Sequence, residues 1–160
     1  MATAHQNTIS IRLEDVPSAK GLSFGIVVSE WNTEITENLY KGAHELLVAK
    51  GALPEQIKFV SVPGSFELIY GCKKMQEQMV NAVIAVGSVI QGETKHFDFV
   101  CEGVTHGIKD LNFLYDVPVI FCVLTDNNMQ QGLERSGGIH GNKGTEAAHT
   151  ALWMLALKNQ

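Results

Sequence analysis

The sequence predicts an α/β domain built on a parallel sheet, and two observations carry that expectation. Four short runs are predominantly apolar: LSFGIVVSE at 22–30, IKFVSV at 57–62, AVIAVGSVI at 82–90 and VPVIFCVLT at 117–125. Such runs mark strands buried on both faces. Between them lie segments of helical period, so strand and helix alternate and every connection is long enough for a crossover.

The elements follow in order. The first run lies between Gly21 and Asn32, and from Thr33 the period changes. Ile35, Leu39, Ala43 and Leu46/Leu47 then share one helical face, and Gly51 and Pro54 stop the helix. The second run closes at Pro63-Gly64. Ser65 is placed to cap a helix over 66–79, with Glu67 in the first turn, where a carboxylate suits the helix dipole. After the third run, a helix over 94–115 carries Phe97, Val100, Cys101, Val104, Ile108, Leu111 and Leu114 on its apolar side. The fourth run leads to a short helix at 129–135, a loop at GGIHG (137–141) and a last amphipathic helix over 145–158. The polar arm at 1–21 is expected to add a strand of its own. With no internal repeat, low-complexity tract or linker, residues 1–160 read as one three-layer, flavodoxin-like domain with a four-stranded parallel sheet and helices on both faces.

Composition narrows the functional classes. A hydrophobic content of 45% with 18% charged residues fits a folded globular chain, and the net charge of −5 lacks the basic face that nucleic acid requires. No apolar run approaches the ~20 residues of a membrane span, so a cytoplasmic location is expected. Cys72, Cys101 and Cys122 are odd in number, lack CxxC spacing and sit among apolar residues, which reads as buried free thiols in a reducing compartment. The six histidines show no metal-ligand spacing, and HExxH, GxSxG, GxGxxG and Walker A patterns are absent.

In a parallel sheet, ligands collect beyond the carboxyl ends of the strands. Those ends read Glu30-Trp31-Asn32, Pro63-Gly64-Ser65-Phe66-Glu67, Gln91-Gly92-Glu93-Thr94 and Thr125-Asp126. Gly92-Glu93-Thr94 joins a turn, a hydroxyl and the free N–H groups of a new helix. Either a plain helix cap or an anion site accounts for it. His96 follows about two residues into the helix, and imidazole titrates near neutral pH, as a proton carrier must. Trp31 would face solvent unless a planar ring or another subunit covers it. Phe66 and Phe121 read singly as core residues. Arg135 precedes SGGIHGNKG, where bidentate contact with a phosphate and a plain surface position are both open.

Taken together, WN at 31–32, VPGSFEL at 62–68, GSVIQGETKHFDFV at 87–100, PVIFCVLT at 118–125, Arg135 and GNKGTEAA at 141–148 resemble the 6,7-dimethyl-8-ribityllumazine synthase family over residues 23 to 157. The resemblance implies a transferase of riboflavin biosynthesis that needs no cofactor or metal. It condenses two small substrates, 5-amino-6-(D-ribitylamino)uracil and 3,4-dihydroxy-2-butanone 4-phosphate. Trp31 and Phe121 would then sandwich the uracil ring. Asn32, together with Ser65 and Glu67 of the loop Gly64-Ser65-Phe66-Glu67, would hold the ribityl chain and pyrimidine edges with backbone from Ser88, Val89 and Ile90. Glu93, Thr94 and Arg135 would hold the phosphate, His96 would carry protons, and Lys143 and Glu146 would support the uracil and the field around His96. Catalytic roles thus fall on His96 and Arg135.

The resemblance also implies a homopentamer with sites between adjacent subunits, Phe121, Arg135 and Lys143 coming from the neighbour, and association with riboflavin synthase. Nucleic acid and membrane are not expected partners. Three positions depart from the family pattern: Trp31 replaces a common phenylalanine, Gln91 a frequent basic residue and Ile139 a frequent lysine. The short loop at 136–141 favours a sixty-subunit shell, and Ile139 weighs against it. Two alternatives remain: a riboflavin synthase of the archaeal type, against which the GET-x-H segment and Arg135 count, and a flavin-binding or shell-forming paralogue with little activity.

Overall fold

The computed structural model describes residues 13–158. Four parallel strands, β1 (Phe24–Ser29), β2 (Ile57–Val62), β3 (Ala82–Ile90) and β4 (Val119–Asp126), lie in the order β2-β1-β3-β4. Between and after them run α1 (Thr33–Ala49), α2 (Leu68–Gln76), α3 (His96–Leu114), α4 (Met129–Arg135) and α5 (Lys143–Lys158). A two-stranded antiparallel ribbon, β5 (Ser136–Gly138) and β6 (Gly141–Asn142), joins α4 to α5.

Side-chain alternation along the strands divides the core in two. Phe24, Ile26 and Val28 of β1, with Ala82, Ile84 and Val86 of β3, pack with Leu39 and Leu47 of α1 and Ala148 and Leu152 of α5. Val27, Val83 and Ala85 point the other way, onto Leu68, Cys72 and Met75 of α2 and Val104 and Ile108 of α3. This is the three-layer, flavodoxin-like arrangement that the apolar runs predict. Because β1 leads by way of α1 to β2 on one side while β3 pairs on its other side, the connections diverge at the carboxyl ends of β1 and β3, where a crevice must open.

The expected limits hold for β2, β3 and α4 and shift elsewhere. Ser65 does not cap α2. Its hydroxyl turns inward, 3.5 Å from the Ser29 hydroxyl, while its carbonyl accepts from Leu68 N at 3.3 Å, and the helix starts at Leu68, two residues later than expected. The α3 helix begins at His96, so His96 opens the helix rather than sitting two residues inside. The GGIHG segment is a ribbon turn, with Gly137 (φ 136°) and Gly141 (φ 74°) in conformations that favour glycine. Residues 13–21 hold a 3-10 turn at Leu13–Asp15 and no strand, and the rest of the expected arm strand lies outside the described residues. Cys72 and Cys122 are buried free thiols whose pKa burial pushes up to about 12, whereas Cys101 is only partly buried, contrary to the sequence reading.

Asn142 holds the ribbon and α5 together, using all four hydrogen bonds an amide can make. Its Nδ2 donates to the carbonyls of Asn38 (2.8 Å) and Ser136 (3.0 Å). Its Oδ1 accepts from Gly144 N (2.8 Å) and Thr145 N (3.3 Å), capping α5. Asn142→Ala is expected to cost about 2–4 kcal/mol, since it removes the cap and strips two carbonyls of their donor. Thermal denaturation checks this, and an unchanged Tm would show that solvent replaces the amide freely.

Candidate active site

Every strand end that borders the divergence of β1 and β3 contributes to one cleft of about 670 Å³. Trp31 and Asn32 follow β1, the loop Gly64-Ser65-Phe66-Glu67 follows β2, and Ser88, Val89 and Ile90 finish β3. His96, Phe99 and Val100 close it from the first turn of α3. Such a volume suits a ligand of one or two small rings with a polar chain.

Local chemistry fixes the walls. Asn32 takes a left-handed conformation (φ 58°, ψ 49°), which asparagine tolerates better than most residues, and so turns β1 sharply into α1. Its Nδ2 donates to the carbonyl (3.1 Å) and hydroxyl (3.3 Å) oxygens of Ser88, tying the ends of β1 and β3 across the floor. That turn throws Trp31 outward, 71% exposed at the mouth. Gly64 lies between Trp31 and Glu67: a Cβ there would come within 2.8 Å of the Glu67 carboxylate and 3.6 Å of the indole. Phe66 is half exposed and rests on α3 where Gly103 leaves room, since a Cβ at 103 would meet the ring at 2.7 Å. Two aromatic faces, Trp31 and Phe66, therefore stand open beside polar groups from Asn32, Ser65 and Glu67.

The turn before α3 is exposed. Thr94 Oγ1 accepts from His96 N at 3.3 Å, and His96 itself is solvent-accessible. At Gly92 the backbone angle does not demand glycine, and a Cβ would meet nothing within 4 Å. Internal packing thus gives no reason for a glycine there.

The remaining predicted residues gather elsewhere. Phe121 is not at a strand end: it lies in β4 opposite Ala85, and it is 41% exposed, not core. Among the described residues β4 is an edge of the sheet, pairing only with β3. Arg135 ends α4, with Nη1 donating to the Gln131 carbonyl at 3.0 Å and Nε 3.8 Å from Asp126 Oδ1. Lys143 Nζ lies 2.7 and 2.9 Å from the two Glu146 oxygens. Neither Phe121, Arg135, Lys143 nor Glu146 lines the cleft, and Glu93 and Thr94 stand beside it rather than in its wall. Sequence reasoning did not mark Phe99 or Val100 as cleft residues. Their spacing from His96 at i+3 and i+4 of one helix was the available signal. Among the described residues no group of three or more His, Cys, Asp or Glu side chains is placed to hold a metal ion, and no helix is long and apolar enough to cross a membrane.

Comparison with known proteins decides which family this cleft belongs to. The family model for 6,7-dimethyl-8-ribityllumazine synthase matches residues 21–159. The chain belongs to the 6,7-dimethyl-8-ribityllumazine synthase family. Among its relatives carrying that name, the protein of Flavobacterium johnsoniae is 63% identical, the match covering 100% of this chain and 85% of the relative. That of Christiangramia forsetii is 61% identical over 99% of this chain and 95% of the relative. That of Parabacteroides distasonis is 51% identical over 97% and 98%. The matched span takes in every cleft residue, the turn before α3, and Phe121, Arg135, Lys143 and Glu146.

Proposed function

We propose that the chain catalyses the reaction for which its family is named, condensing 5-amino-6-(D-ribitylamino)uracil with 3,4-dihydroxy-2-butanone 4-phosphate to give 6,7-dimethyl-8-ribityllumazine, phosphate and water. The observation that carries the assignment of roles is the cleft at the sheet's divergence point, with an exposed tryptophan at its mouth and a histidine on its rim. The pyrimidine ring stacks on Trp31, and its polar edges and ribityl hydroxyls meet Asn32, Ser65, Glu67 and the backbone from Ser88 to Ile90. The phosphate lies at Gly92-Glu93-Thr94, where the bare Cα of Gly92 lets the backbone approach an anion closely.

Chemically, the free amine attacks the ketone, and loss of water gives an imine. Phosphate then leaves by elimination, the enol so formed ketonises to a new carbonyl at the carbon that bore the hydroxyl, and the ribityl-bearing nitrogen closes the ring on that carbonyl with loss of a second water. Holding both substrates in register supplies much of the acceleration, and cations and N–H donors stabilise the departing phosphate. His96 relays the protons that the amine loses and the leaving oxygens gain.

Phe121, Arg135 and Lys143 serve the cleft of an adjacent subunit. What supports this is that none of them lines the cleft of its own chain, that Phe121 lies in β4 and Arg135 beside its last residue, Asp126, together with the family resemblance. A homopentamer repeats that arrangement around a ring, and sixty subunits could close a shell around riboflavin synthase in the cytoplasm. Light scattering separates pentamer from shell.

The test is to mix the purified protein with both substrates and follow lumazine fluorescence. Product should form well above the uncatalysed rate, and His96→Ala should lower kcat by roughly 100-fold with little change in either KM. No product above background would refute the synthase reading, and a wild-type rate for the variant would remove His96 from proton transfer.

A further inference from the structure

Asp126, the last residue of β4, is the one buried carboxylate at the sheet's carboxyl end among the described residues, and the roles assigned above leave it unused. Its backbone is fixed by the sheet: it pairs with Ile90, and its carbonyl accepts from Gln91 N at 2.9 Å. Its side chain is 5% exposed. Among the described residues Oδ2 has no hydrogen-bond partner; it faces Gly132 of α4, where a Cβ would stand 3.2 Å away, and Ile35 of α1 fills the same corner. Oδ1 lies 3.8 Å from Nε of Arg135, whose side chain is 30% exposed.

This is a poor arrangement for stability. Burial raises the carboxyl's pKa above its usual value, and the Arg135 guanidinium draws it only part of the way back. A buried charge with one loose partner and an orphaned oxygen costs more than a neutral group of the same shape. Asparagine would fill the same space without the charge. What the carboxylate does provide is a fixed negative pole beside one edge of the guanidinium. The Gln131 carbonyl holds a second point, Nη1, at 3.0 Å. A hydrogen bond at Nη1 and an ionic contact at Nε restrict the planar group in rotation as well as position and leave its other N–H groups for an anion.

We infer that Asp126 is a positioning residue, whose carboxylate aims the Arg135 guanidinium at the phosphate of the bound butanone. The inference rests on the reading of Arg135 as a phosphate ligand. Asp126 touches no substrate itself and acts through Arg135.

The experiment compares Asp126→Asn, Arg135→Ala and the double variant in the assembled enzyme, varying each substrate in turn and recording Tm. Asp126→Asn should raise KM for the phosphorylated butanone roughly three- to tenfold and leave KM for the amine in place. Its Tm should equal or exceed that of the parent, and it should add nothing to the KM change of Arg135→Ala. An unaltered KM in Asp126→Asn, with Arg135→Ala raised, overturns the positioning role alone. So does an equal further change in the double variant. A fall in Tm with both KM values rising together makes Asp126 part of the scaffold and likewise refutes the inference. If Arg135→Ala leaves KM unchanged, the phosphate reading itself fails and this inference with it. Should the Asn variant yield no soluble protein, Asp126→Ser is read by the same criteria.

Discussion

Replacing Arg135 with alanine is expected to lower kcat/KM by about 100-fold, nearly all of it through KM for the phosphorylated butanone. Charge-assisted, bidentate hydrogen bonds to phosphate are among the strongest a side chain makes, and few other cations are available here. The turn 91–94 opens with Gln91 instead of a basic residue, and Lys143 is already paired with Glu146 at 2.7 Å. Among the described residues the guanidinium spends one hydrogen bond on the Gln131 carbonyl, which leaves most of its five donors for a ligand. Arg135→Lys keeps the charge but loses the fork, so it should recover only part of the loss. Steady-state kinetics with the amine saturating measure the effect. An unchanged KM would take Arg135 out of the phosphate site.

The largest structural effect is expected at Gly144. It is buried where α5 crosses α1, and a Cβ there would land on the Leu39 carbonyl oxygen and within 2.6 Å of its carbon. The obstacle is helix backbone, which cannot rotate aside as a side chain can. The same Cβ would also press on Asn142 Oδ1 at 2.9 Å, the atom that caps α5. Gly144→Ala should therefore cost about 3 kcal/mol or more, a fall in Tm of roughly 10 °C. It should also displace Lys143 and Glu146, the first turn of the same helix. Equal Tm values for variant and parent would show that the two helices part easily.

These two residues also show where sequence reasoning succeeds and where it stops. The strands at 57–62 and 82–90 were legible to the residue from their apolar runs and boundaries, yet the expected burial on both faces holds for 82–90 and not for 57–62, whose four inner residues are exposed. Helix α1 was equally clear, since a 3.6-residue period survives over several turns. Half of the cleft residues, Trp31, Asn32 and Gly64 to Glu67, were legible for a simpler reason. Once the sheet is parallel, the carboxyl ends of its strands are read directly from the chain. Short or glycine-rich segments gave the errors. Ser65 looks like a cap but turns its hydroxyl to Ser29. The segment at 136–142 has no strand propensity and pairs because Asn142 holds both of its sides.

The residues alone were enough for the fold class, the four strands of the parallel sheet, the residues at their carboxyl ends and the family. These are properties of local period and of motifs that survive without coordinates. The tertiary structure alone decided that Asn32 ties β1 to β3, that Phe99 and Val100 join the cleft and that Phe121, Arg135, Lys143 and Glu146 do not line it. It alone placed a buried carboxylate, Asp126, behind Arg135. Each of these depends on which atoms of distant segments meet. Hydrophobic period determines which face of an element is buried, and only packing determines what that face and its polar ends touch.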